Sequence, residues 1–170
     1  MIEATNQKLN RANLRRIAEK LLTQAGIDSP PVMVRDLVKY LKTREDFNVY
    51  PWSFGDKTSG IQLTQGKKSV VGYNNKQHTH RQRFSVCHEI AHFVLGHTRG
   101  NDDYKFSQNP GIAEQEASFL AAELLMPYRM IKGNLGSGLT DINQLAEKYN
   151  VSSDAMWIRI KECGLINKLP

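Results

Sequence analysis

Phe84-Ser85-Val86-Cys87-His88-Glu89-Ile90-Ala91-His92-Phe93-Val94-Leu95-Gly96 is the stretch on which the reading of this chain turns. The polar link Asn74 to His80 precedes it, and the pattern predicts a helix from about Arg81 to Leu95, closed by Gly96. Inside that helix, His88, Glu89 and His92 spell His-Glu-x-x-His. At about 100° per residue, positions four apart lie about 40° apart and one turn along. Both imidazoles therefore face one point, with Glu89 projecting beside them. That arrangement suits Zn2+, with His88 and His92 as metal ligands and Glu89 as the base that activates a water. Among Phe84, Ile90, Phe93, Val94 and Leu95, two histidines and a glutamate without such a purpose would be badly placed.

A catalytic zinc needs a third protein ligand. His97 lies five positions past His92, about 140° around a straight helix, and so reads as a helix-end residue near the negative pole of the dipole. The extended metzincin pattern would want glycine at 95 and histidine at 98, where this chain has Leu95 and Thr98. The next predicted helix, about Ile112 to Met126 and stopped by Pro127, offers glutamates. Its apolar face, from Ala117, Leu120, Ala121, Leu124 and Leu125, centres about 60° from Glu114 and about 100° from Glu116. Ala117 and Ala121 let this helix approach the first one closely. Glu114 is the better-placed third ligand and Glu116 the second choice, while Glu123 reads as a supporting or surface residue.

Outward from these helices the chain is ordinary. Leu14, Ile17, Ala18, Leu21 and Leu22 predict an amphipathic helix ending near Gly26, and Val34, Leu37, Val38 and Leu41 a second. Residues 47–52, 60–65 and 69–73 read as strands, the last two joined by a hairpin turn at Gly66-Lys67-Lys68. Residues 97–111 read as a long loop. After the glycine-rich Gly133 to Gly138, two short helices at about 141–149 and 152–162 form a helix-turn-helix-like unit capped by Ser152 or Ser153.

Arg81 through His92, followed by Glu114-Gln115-Glu116-Ala117-Ser118 running to Leu124-Leu125-Met126-Pro127, resembles the ImmA/IrrE family of bacterial zinc metallopeptidases, which are gluzincin-like. The family pattern Glu-x-x-Ala-Asn would set its leading glutamate on Glu114, and Ser118 stands in place of the asparagine. The resemblance implies a compact α+β zincin-like domain: a small three-stranded sheet packed on helices that include the active-site helix. It also implies a protein substrate: a helix-turn-helix repressor of a mobile element or a DNA-damage regulon, or an antitoxin. The expected division is a metallopeptidase domain over 1–135 and the helical appendage over 136–170.

Length and composition agree with one domain plus an appendage: 170 residues, 40% apolar and 24% charged. The chain has no signal-peptide pattern, no apolar run long enough for a membrane, and only two cysteines, Cys87 and Cys163, which read as core thiols. A cytoplasmic protein with no membrane partner is expected. The net charge of +6 is uneven: residues 1–87 hold 15 Lys+Arg and 7 Asp+Glu, whereas residues 88–170 hold 8 and 10. Residues 139–170 hold four of each sign, so the unit that would read DNA is neutral, and DNA contact is the less favoured use of the charge. The positive charge of residues 47–87 borders the expected cleft and suits guidance of a protein substrate. The competing class is a non-catalytic DNA- or protein-binding regulator with a structural metal site. Tyr73, His78, His80 and Tyr128 are the remaining candidates to stabilise an oxyanion, and the strand pair around Gly66 could hold an extended peptide by strand addition.

Overall fold

A computed structural model describes residues 9–55, 57–66, 68–97 and 110–169. Asn10 starts the first helix, its side-chain oxygen accepting the Asn13 N–H at 3.0 Å. This helix, α1 (Arg11–Gln24), buries Leu14, Ala18, Leu21 and Leu22 along one stripe. Helix α2 (Val34–Lys42) buries Leu37 and Leu41 in the same way.

Three strands follow: β1 (Asp46–Trp52), β2 (Gly60–Gln65) and β3 (Lys68–Asn74), lying side by side in the order β1-β3-β2. The hairpin β2–β3 is antiparallel, with Gln65 opposite Lys68, whereas β1 joins β3 in parallel, with Phe47 beside Ser69. Phe47, Ser69 and Val71 share one face and are buried. Phe47 meets the ring of Phe93 on the next helix at 4.8 Å between centroids. The opposite face leaves Tyr50, Trp52, Ile61 and Leu63 exposed, and β2 is an edge strand.

Helix α3 (Thr79–Leu95) lies between the sheet and α4 (Pro110–Leu125), and α1 packs on another side of α4. His88 and Glu89, which begin the sequence motif of α3, are half-buried there. The expected loop at 97–111 falls almost wholly outside the described residues, and so does Lys67 of the expected hairpin turn.

Helix α5 (Tyr128–Gly136) runs into the glycine-rich segment 133–138, where the sequence pattern predicts no helix. Pro127 stops α4 and also starts α5 at its N-cap, and Ile131 and Leu135, four apart, are both buried. Burial of that pair overrides the poor helix propensity of Gly133 and Gly136. Helices α6 (Ile142–Tyr149) and α7 (Ser153–Glu162) form the expected helical pair, with Ser152 capping α7 through the Ala155 N–H. The pair contributes Leu145, Ala146, Tyr149, Met156 and Ile160 to the same core as α1 to α4.

Two charged residues are placed otherwise than the sequence suggests. Glu123, read as a supporting or surface residue, is 1% exposed and pairs with Arg159 of α7, which is equally buried. Glu123 also accepts the Tyr128 N–H at 2.7 Å and lies 3.5 Å from Arg15 of α1, and Arg159 donates to the Met126 carbonyl at 3.0 Å. The wheel failed because α4 has neighbours on several sides, so a residue away from its apolar centre still faces protein. Arg83, counted among the positive charges bordering the cleft, is turned inward and donates to the Val32 carbonyl at 3.0 Å.

Candidate metal centre

Helix α3 delivers His88 and His92 to one point. Their Nε2 atoms are 3.0 Å apart with the ring planes at 75°, so each ring aims one nitrogen at the same small volume. The first turns of α4 supply the third group. The Glu114 carboxylate places Oε2 3.1 Å from His88 Nε2 and Oε1 3.2 Å from His92 Nε2. One ligand atom from each of His88, His92 and Glu114 can be chosen so that all lie within 4.8 Å of one another. Two imidazole nitrogens and a carboxylate oxygen converging in this way are a donor set that suits a zinc ion with an open position.

Burial tunes the residues around this point. His92 is pushed down to about 4, first by burial and then by neighbouring His88, so its ring is neutral and free to donate a lone pair. Glu89 is raised to about 7, first by burial and then by the Glu114 carboxylate. It stands outside the converging group. A Cβ added at Gly60, the first residue of β2, would lie 3.2 Å from its Oε1, so the strand's bare backbone forms one wall of the carboxylate's pocket. The start of β2 is fixed in turn. The Arg81 Nε–H donates to Ser59 Oγ at 3.2 Å, and buried Asn74 donates from Nδ2 to the Thr58 carbonyl at 2.9 Å.

His97 and Glu116 occupy places that sequence reasoning did not foresee. Gly96 adopts φ 75°, and the N–H groups of Gly96 and His97 bond back to the carbonyls of Phe93 and His92. The helix therefore ends at Leu95 and the chain doubles back, which invalidates the straight-helix angle for His97. Its Nδ1 lies 3.0 Å from His92 Nδ1, and its Nε2 lies 3.2 Å from Oε2 of Glu116. Glu116 thus faces His97 and is not among the converging ligand atoms. The glycine at 96 was the available signal for this turn. Ser118, the departure from the family pattern, places Oγ 3.4 Å from His88 Nδ1.

The remaining candidates are not among the converging ligand groups. His78 caps α3, its Nδ1 accepting the His80 N–H at 3.3 Å. The Tyr128 ring stacks under the Arg15 guanidinium, 4.2 Å from its centroid, at the far end of α4. Tyr73 is paired with Gly60 across the β2–β3 ladder, on the face that meets α3. Cys87 is wholly buried and pushed up to about 12 by that burial, as suits a core thiol.

The sequence profile of Peptidase M78, described as the IrrE N-terminal-like domain, matches residues 42–161. The chain belongs to the Peptidase M78 family. Membership makes it a metallopeptidase-type domain, and the match runs from the end of α2 through most of α7. Among solved structures, a Mycobacterium tuberculosis transcriptional regulator is similar to this M78 domain, with a TM-score of 0.65 and 15% identity over 88% of this chain. At that identity the likeness shows the fold alone, and the chain spans only 46% of the regulator's length. No curated protein matches the sequence. Among the described residues, no helix is long and apolar enough to cross a membrane.

Proposed function

We propose that the chain is a zinc-dependent endopeptidase in which His88, His92 and Glu114 hold the metal and Glu89 is the general base. The observation that carries this reading is the convergence of the two Nε2 atoms and the Glu114 carboxylate while Glu89 stays outside that group, half-buried against Gly60. Zinc, when bound, supplies Lewis acidity, polarising a carbonyl oxygen and acidifying a neighbouring water. Glu89 takes the proton of the attacking water and hands it to the leaving amine. Its raised pKa in the metal-free site suits both halves of that task, and a cation beside it draws the value down again. Among the described residues the outer edge of β2, beginning at the wall of the Glu89 pocket, has no neighbouring strand and can receive an extended substrate segment.

The substrate is a protein, and the family resemblance favours a helix-turn-helix repressor or antitoxin. A DNA-reading role for the appendage has less to work with than its sequence implied, because Arg159 of α7 is turned inward and Lys161 is that helix's other basic residue. The discriminating experiment compares wild type with Glu89→Gln on denatured casein and on the product of the neighbouring gene. Retained zinc with cleavage reduced at least about 100-fold is expected. Unchanged cleavage by the variant overturns the mechanism, and unchanged biological activity without any cleavage returns the chain to the class of non-catalytic regulators.

A further inference from the structure

We infer that His97 and Glu116 form a positioning relay that fixes the ring orientation and proton arrangement of His92. The inference rests on the reading of His88, His92 and Glu114 as the metal site.

The atoms determine its direction. An ionised Glu116 carboxylate can only accept, so the 3.2 Å contact with His97 requires the proton on His97 Nε2. With a metal on His92 Nε2, the hydrogen of His92 sits on Nδ1 and joins it to a bare His97 Nδ1 3.0 Å away. With its proton on Nδ1, His92 has its lone pair on Nε2, the atom that faces His88 and Glu114. One carboxylate therefore selects, through two rings, the only neutral His92 tautomer able to bind a metal at that point. His97 cannot be a ligand there itself, because it meets His92 at the opposite ring nitrogen.

The two imidazoles are served unequally. His88 Nδ1 has Ser118 Oγ at 3.4 Å, at the edge of hydrogen-bond range, whereas His92 has a shorter contact backed by a charge. The relay also crosses from the end of α3 to the first turns of α4, the two elements that must stay in register for His92 and Glu114 to meet.

The test measures Zn2+ affinity by competition with a chromophoric chelator and records the Co2+ absorption spectrum. Wild type, His97→Ala, His97→Gln, Glu116→Ala and the double alanine variant are compared, with thermal unfolding of each metal-free protein. Zinc binding should weaken about 10–100-fold in His97→Ala, and in the same direction but less in Glu116→Ala, with an altered Co2+ spectrum. The double variant should be no weaker than His97→Ala, since Glu116 acts through His97. Wild-type affinity and spectrum in His97→Ala, or losses that add in the double variant, overturn the relay. Should His97→Ala fail to fold, Glu116→Ala and His97→Gln decide, and wild-type zinc binding in both overturns it. Failure of the wild-type protein to bind zinc would instead remove the metal site on which the inference rests.

Discussion

Glu89 occupies an unusual position for a carboxylate: largely enclosed, outside the ligand group, and pushed up to about 7. The shift has a consequence for the metal-free protein. Between about pH 4.5 and pH 7 the unfolded chain has released this proton while the folded chain still holds it, so folding stability falls as pH rises through that window. Below pH 4.5 the contribution is fully present. We expect metal-free Glu89→Gln to gain stability relative to wild type as pH rises from 4.5 to 7, by no more than about 3 kcal/mol. Urea unfolding in the presence of a chelator measures it, and a pH-independent difference would show that Glu89 is as hydrated as an ordinary surface carboxylate. At this scale the sequence was most legible where spacing alone decides direction: His88, Glu89 and His92 lie on one regular helix, and Glu114 follows from the wheel of the next. His97 was not legible by that geometry, because a wheel assumes the helix continues and Gly96 ends it.

Helices and strands were read well where one stripe of apolar residues does the work, as in α1, α2 and the α6–α7 pair. They were read poorly where an element has several neighbours. Helix α4 buries Ala113, Phe119 and Glu123 as well as its predicted apolar face, so position on the wheel did not separate buried from exposed. Helix α5 was hidden by glycines whose cost is offset by tertiary burial of Ile131 and Leu135. Strand β2 illustrates how little room the site leaves: a Cβ added at its first position would crowd the Glu89 carboxylate. In Gly60→Ala the new Cβ, 3.2 Å from Glu89 Oε1, must displace the carboxylate by a few tenths of an ångström. We expect kcat to fall on the order of 10-fold, with zinc affinity and melting temperature nearly unchanged. Wild-type kcat would mean that Glu89 has slack in its pocket.

The molecule as a whole is bound together by contacts that no local pattern announces. Glu123 and Arg159 are 36 residues apart and join α4, which carries Glu114, to the helical appendage. Removing one member of a buried pair leaves the other uncompensated, at about 3–5 kcal/mol. We therefore expect Arg159→Ala to destabilise by that amount in equilibrium urea unfolding, and Arg159→Met with Glu123→Leu to recover most of it. A single loss below about 1 kcal/mol would show that Arg15, 3.5 Å from Glu123, suffices alone. Across the division expected near residue 135, Asn134 donates to the Tyr149 hydroxyl at 2.7 Å, and residues on both sides contribute to one core. The order of the parts is legible from local patterns, but the pairing of Glu123 with Arg159 exists only in the assembled fold.

The strand order carries a last consequence, for the sequence of events in folding. In the hairpin, Gln65 meets Lys68 only three positions along the chain, whereas Phe47 must find Ser69 across 22. Loop-closure entropy grows with the logarithm of that separation, which makes the parallel contact more expensive by on the order of 2 kcal/mol. The β2–β3 ribbon, with the wall of the Glu89 pocket at its end, can therefore close early, and β1 adds to an edge that already exists.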